Sequence, residues 1–173
     1  ISGEHAVVYG QPALAAAIDL GVRVEVVPVD SEGVEVDMVD EDELGLVDKA
    51  LSLFEGEAGR VRLRVRSDLP VGSGLGSSAA LSAAVIKALA GYVGKDLSNK
   101  GWFDMTMECE RVAHGGPSGV DPAVVINGGL VWYVKGMPIE RCSLNEMVKF
   151  VLVNTGKPVE ATGEMVRRVA DEL

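Results

Sequence analysis

A chain of 173 residues that is 47% hydrophobic and 24% charged has the composition of an ordinary globular protein, long enough to bury a core. Its formal net charge of −10 excludes general nucleic-acid binding, which needs a basic footprint, and its two cysteines are too few for a disulfide framework. Apolar runs are broken by Gly or charge well before the ~20 residues a bilayer demands, so no membrane span is expected and a reducing cytoplasm is the default compartment.

Read in order, Ile1-Ser2-Gly3 looks like the end of a strand, and Glu4 to Gly10 leads to a turn at Gln11-Pro12. Residues 13–20 are compact and apolar; residues 21–29 alternate as a strand, and a second strand is expected over 34–39 after a turn at 31–33. Nine acids fall between Asp30 and Asp48 with no Lys or Arg among them, which reads as a solvated loop and hairpin edge. Leu44, Val47, Leu51 and Phe54 have helical spacing. Residues 60–66 alternate charged and apolar, as a strand with one wet face does.

The stretch Leu69 to Tyr92, LPVGSGLGSSAALSAAVIKALAGY, organises the rest. Gly72, Gly74 and Gly76 let the backbone approach a bulky ligand and take positive φ. Ser77 and Ser78 then open a helix with an apolar stripe at Leu81, Ala84, Val85, Ala88 and Leu89. Its first-turn N–H groups and positive dipole end invite an anion, phosphate above all, although a plain serine N-cap would use the same residues. The P-loop pattern fails, because it needs a lysine after its last glycine and Ser77 stands there. The dinucleotide fingerprint fits only loosely, since the strand over 60–66 has a solvated face where a Rossmann strand is buried on both.

A second helix is expected from about Trp102 to Ala113, with Met105, Cys109 and Val112 on one face and Glu110 beside it. In the loop 114–122, Pro122 biases Asp121 toward an extended conformation. Residues 123–127 and 130–134 flank Gly128-Gly129 as a hairpin, residues 149–153 read as a strand, and a helix begins before Leu173.

Three places carry chemistry: Glu4-His5, the glycine loop, and Glu110 with Asp121. Singly, each has a plain reading as a surface pair, a cap, an ion pair with Arg111, or a turn former. Together they supply what phosphoryl transfer needs: N–H donors for phosphates, a hydroxyl and a carboxylate for Mg²⁺, and a carboxylate near the acceptor hydroxyl.

These residues also resemble the mevalonate kinase branch of the GHMP kinase superfamily. SGEHAVVYGQPALAAAI at 2–18 is similar to its N-terminal signature and LPVGSGLGSSAA at 69–80 to its ATP-binding loop. HGGPSGVDP at 114–122 is similar to the segment of its catalytic aspartate, and VNTGKPVEATGEMV at 153–166 to the start of its second half. The resemblance implies an α+β or α/β fold, with a GHMP kinase N-terminal domain (a ribosomal-protein-like mixed sheet with helices) over 1–148 and the threshold of a ferredoxin-like domain over 149–173. It implies ATP and Mg²⁺ as cofactors and mevalonate as the small-molecule partner, and leaves a homodimer open. Pro70, Gly72, Gly74, Leu75, Gly76, Ser77, Ser78 and Ala79 would hold the nucleotide, with Ser78 and Glu110 holding Mg²⁺. Asp121 would be catalytic, and Glu4, His5, Ser118 and Thr162 would serve the substrate. The family's lysine would fall before Ile1, and most of the second domain lies beyond Leu173, so the 173 residues alone are expected to bind Mg·ATP weakly without turnover. A phosphomevalonate or homoserine kinase, or a nucleotide-binding module without catalysis, are the alternative readings.

Overall fold

Val61, Leu63 and Val65 point one way along a strand while Arg62, Arg64 and Arg66 point the other, and this alternation sets the first half of the fold. In the computed structural model, which describes residues 2–153 apart from positions 32, 39–42, 55, 71, 145, 147, 148 and 150, that strand is β4 (Val61–Ser67). It lies between β2 (Val22–Pro28), to which it pairs antiparallel, and β3 (Val34–Asp37), to which it pairs parallel. β3 is therefore not the partner of a β2 hairpin; helix α1 (Leu44–Ser52) carries the chain across to β4. Parallel pairing requires such a crossover, which the acid-rich connection obscured in the sequence. β3 is still an edge, and its acids are answered across the ladder: Arg62 meets Glu35 at 2.6 Å and Arg66 meets Asp37 at 3.4 Å.

The second sheet holds β1 (Ala13–Ala16), β5 (Leu130–Tyr133) and β6 (Glu140–Cys142) in the order β1-β5-β6, both pairings antiparallel. Ser2 adds a single antiparallel bridge to Leu14, and a 3-10 turn spans Ala6–Tyr9. Three more helices follow the glycine loop in sequence: α2 (Ser77–Val93), α3 (Asn99–His114) and α4 (Val120–Asn127).

The apolar side chains gather in two clusters. One joins the β2-β4-β3 sheet to α1, α2 and α3, with Phe54, Leu63, Leu81, Ile86 and Leu89 fully enclosed. The other joins Val7, Ala13, Val131 and Tyr133 to Val120, Ala123 and Val124 of α4. α2 touches α1, α3, α4 and β2, so it stands where the two clusters meet. Its buried surface is wider than a stripe, including Ala79, Ala80, Ala83 and Ala90, because small side chains let neighbours close on it from several sides.

Several sequence expectations need correction. Residues 123–127 form the body of α4 rather than one arm of a hairpin; Val124 and Ile126 have strand propensity, but the burial of both, Val124 in the second cluster, overrides it. Val112 is 56% exposed, so the inner face of α3 runs through Met105, Thr106, Cys109 and Glu110 instead. The described residues of 149–153 form no strand, and Val151 is 90% exposed: no ladder partner is present among the described residues to satisfy their backbone groups. The expected helix after residue 156 lies outside the described residues. β6 and the 3-10 turn had no clear sequence signal. Cys109 and Cys142 are both free thiols, and burial pushes the Cys109 thiol up to about 11, far from a reactive thiolate. Among the described residues no helix is long and apolar enough to cross a membrane.

α3 begins one turn earlier than its apolar pattern suggests because Ser98 caps it, its hydroxyl accepting from the Gly101 N–H at 3.1 Å. Replacing that acceptor leaves a helix-end donor without its partner, so Ser98→Ala should cost about 1 kcal/mol of unfolding free energy in urea titrations. A change under about 0.3 kcal/mol would mean that water caps the helix equally well.

Candidate active site

The glycine loop closes on itself before α2 starts. The Ser73 hydroxyl donates to the Pro70 carbonyl at 2.7 Å, and Gly72, Gly74 and Gly76 have φ of 70°, 72° and 70°. Gly76, at ψ 32°, is the N-cap of α2 and offers no side chain to its first turn. The serine-cap reading thereby falls away: Ser77 and Ser78 are already inside the helix, and no side chain caps it. The first-turn N–H groups at Ser77, Ser78 and Ala79 precede the first i to i−4 bond, from Ala80 N–H to the Gly76 carbonyl at 3.0 Å.

Opposite this end stands the start of α4. Gly119, with φ 91°, caps it, and Asp121 lies in its first turn. The structure therefore corrects the extended conformation expected from Pro122. A proline in the first turn of a helix lacks only an N–H that would have had no intrahelical acceptor, and so Pro122 opens α4 rather than preventing it. The helix aims Asp121 at the glycine loop: a Cβ added to Gly76 would lie 3.3 Å from the Asp121 Cβ and Cγ and 3.4 Å from Oδ1. Two helix N-termini and one carboxylate thus converge.

Tyr133 of β5 buttresses this turn. Its hydroxyl donates to the Ser118 carbonyl at 3.2 Å, and a Cβ on Gly119 would come within 2.4 Å of it. The Ser118 hydroxyl accepts from the Val120 N–H at 3.3 Å.

α3 contributes the second carboxylate. Glu110 is 3% exposed, and its Oε1 has no hydrogen-bond partner among the described residues. Burial raises its pKa, with the Ser78 hydroxyl and His114 pulling the other way and Asp121 adding to the rise. Burial likewise raises Asp121, again opposed by His114. An enclosed carboxylate oxygen without a donor is costly unless a cation answers it. Glu110, with the Ser78 hydroxyl on the neighbouring helix, is a hard oxygen donor set that suits a divalent ion. Among the described residues no three His, Cys, Asp or Glu side chains form a ligand cluster. Mg²⁺ does not require one, since it commonly keeps waters and takes one or two carboxylates beside substrate phosphates.

His114, at the last turn of α3, sits against both groups: Nε2 is 3.3 Å from Ser78 Oγ and 4.0 Å from Glu110 Oε2. Sequence reasoning gave it no role, although its position four residues after Glu110 puts the two on one face of a helix. Tyr133 carried no signal beyond its apolar run.

The other expected residues are placed less tightly. Glu4 and His5 precede the 3-10 turn whose Val7 packs in one cluster with Val120 and Ala123, and they face each other at 3.9 Å. Thr162 lies outside the described residues. A cleft of about 520 Å³ runs along α2 past Leu75, Ala84, Lys87 and Trp102, but neither carboxylate lines it. Both carboxylates lie instead at the junction of α2, α3 and α4.

In this mixed α/β domain a glycine loop, two helix N-termini and the carboxylates of Asp121 and Glu110 come to one junction, an arrangement suited to an anion and a divalent ion. Residues 45–129 match the family model described as GHMP kinases N terminal domain. The chain is 33% identical to the mevalonate kinase of Pyrococcus furiosus over 99% of its own length and 60% of that protein's. It is 38% identical to the mevalonate kinase of Methanothermobacter thermautotrophicus, over 99% of its length and 58% of the relative's. The solved structure of the Methanococcus jannaschii mevalonate kinase superposes with a TM-score of 0.77 at 22% identity, covering 97% of this chain and 62% of that one. That of L. major mevalonate kinase in complex with R-mevalonate gives 0.76 at 21%, covering 99% and 57%. The chain belongs to the GHMP kinase family, and it spans about three fifths of the length of these relatives.

Proposed function

We propose that the chain is the nucleotide-binding part of an enzyme that transfers the γ-phosphoryl group of ATP to the primary hydroxyl of mevalonate, giving 5-phosphomevalonate and ADP. The observation that carries this reading is Asp121 held against the Gly76 N-cap of α2, within one junction with the partnerless Glu110 oxygen. The mevalonate kinases among its relatives supply the acceptor.

In this reading the glycine loop from Pro70 to Gly76 and the N–H groups of Ser77, Ser78 and Ala79 hold the phosphates. Ser78 and Glu110 hold Mg²⁺, which when bound neutralises charge on the β- and γ-phosphate oxygens. Asp121 orients the acceptor hydroxyl and takes its proton as the new P–O bond forms and the bond to ADP breaks. A carboxylate whose pKa burial has raised is the better proton acceptor for that step. Glu4, His5, Ser118 and Thr162 bind the remainder of mevalonate. We assign the enzyme to the cytoplasm, with neither nucleic acid nor membrane as partner, and set the domain boundary near residue 148.

A coupled ADP assay on the complete enzyme tests the proposal, with mevalonate, phosphomevalonate and homoserine offered in turn. Turnover with mevalonate alone is expected; ATP binding without ADP release on any acceptor would leave only a nucleotide-binding module. The metal ligands have their own test. Glu110→Gln should raise the Mg²⁺ concentration needed for half-maximal rate by about ten- to a hundredfold. An unchanged magnesium titration would make Glu110 a structural residue.

A further inference from the structure

His114 has no part in the reading above, yet it faces the same position as the two metal-holding residues. Its Nε2 lies 3.3 Å from Ser78 Oγ and 4.0 Å from Glu110 Oε2, while the other carboxylate oxygen of Glu110 is enclosed and without a donor. Two ligands at about 2.1 Å from an octahedral ion stand about 3 Å apart when adjacent and about 4.2 Å apart when opposite. Both separations from the imidazole fall at or between those limits, so a divalent ion held by Ser78 and Glu110 lies within reach of Nε2 after small side-chain rotations. His114 is also free to make them: its side chain is 57% exposed and is not locked into a core.

We propose that His114 supplies a third, nitrogen donor to the cation position between Ser78 and Glu110, so that this site favours Mn²⁺ or a similar first-row divalent ion over Mg²⁺ more than an all-oxygen site would. Imidazole suits transition metals, whereas Mg²⁺ prefers oxygen and gains little from a nitrogen. The inference rests on the placement of the metal in the proposed function, and it adds the class of metal.

The experiment uses Mn²⁺ with inorganic tripolyphosphate, which contains no nitrogen, bound to the complete enzyme. Electron spin echo modulation should show one nitrogen directly coupled to the bound Mn²⁺, and that coupling should vanish in His114→Gln. In titrations of free Mn²⁺ by electron paramagnetic resonance, the variant should bind Mn²⁺ about tenfold or more weakly, with Mg²⁺ competition changed less than about threefold. Absence of nitrogen coupling in the unaltered enzyme would overturn the proposal, as would its persistence in the variant. A parallel loss of both metals would overturn it too, leaving His114 as a residue that merely orients Ser78. Glu110→Gln separates this from the parent reading: if Mn²⁺ binding survives that change undiminished, the ion does not sit at Glu110 and the metal placement itself is wrong.

Discussion

Asp121→Asn in the complete enzyme should lower kcat by about 10²–10⁴ while leaving ATP affinity nearly unchanged. The amide keeps the shape of the carboxylate beside Gly76 but cannot take the acceptor's proton. The same change should not weaken the fold. Burial raises the pKa of Asp121, so the folded state favours its neutral form, and the stability linked to this group is present at low pH and lost as pH rises through the folded-state pKa. At neutral pH the ionised side chain is therefore a burden that asparagine removes. The melting temperature of the variant is expected to equal or exceed that of the parent at pH 7. Activity and stability should move in opposite directions, which simple damage to the turn would not produce. A loss of activity under about fivefold would rule out the proton-accepting role.

The second large effect is expected two residues earlier. Gly119→Ala places a methyl 2.4 Å from the Tyr133 hydroxyl and 3.3 Å from the Met107 sulfur, on a backbone with φ 91° that side chains rarely adopt. Left-handed strain and overpacking together should cost about 2–4 kcal/mol, read from urea unfolding. Activity should fall as well, because relief of the clash must move either β5 or the turn that aims Asp121. Tyr133→Phe in the same background removes the clashing oxygen, so it should recover the overpacking part and leave the φ strain. If the double variant is no more stable than Gly119→Ala alone, the contact with Tyr133 is not what fixes this turn.

Much of this arrangement was legible in the residues. The alternation of β4, the glycine loop with its helix, and the helical spacing from Leu44 to Phe54 are local patterns, and local patterns survive folding. The resemblance marked Asp121 and Glu110 in advance, and the structure brings Asp121 against Gly76 and Glu110 beside the first turn of α2. What escaped was decided by tertiary context. Valines in α4 read as strand because isolated propensity favours it, while the second cluster needed a helix there. Pro122 suggested an extended Asp121 because the rule for the residue before proline ignores whether a helix is about to start. The parallel partner of β3 was hidden because register between distant strands has no short-range signature. His114 was passed over because its value lies in neighbours 36 and 4 positions away, and only folding brings all three to one spot.

The meeting of the two apolar clusters at α2 has a consequence for how the site could be tuned. Ser78 and Glu110 belong to helices anchored in the first cluster, whereas Asp121 rides on a helix anchored in the second. The part of the site we assign to phosphate and metal and the part we assign to the acceptor are thus moored to separate foundations that touch along one helix. A small slide between them would change the reach of Asp121 toward the phosphates while both foundations stayed intact. Selection could therefore adjust the alignment of donor and acceptor through residues at that joint, with little change in the stability of either cluster.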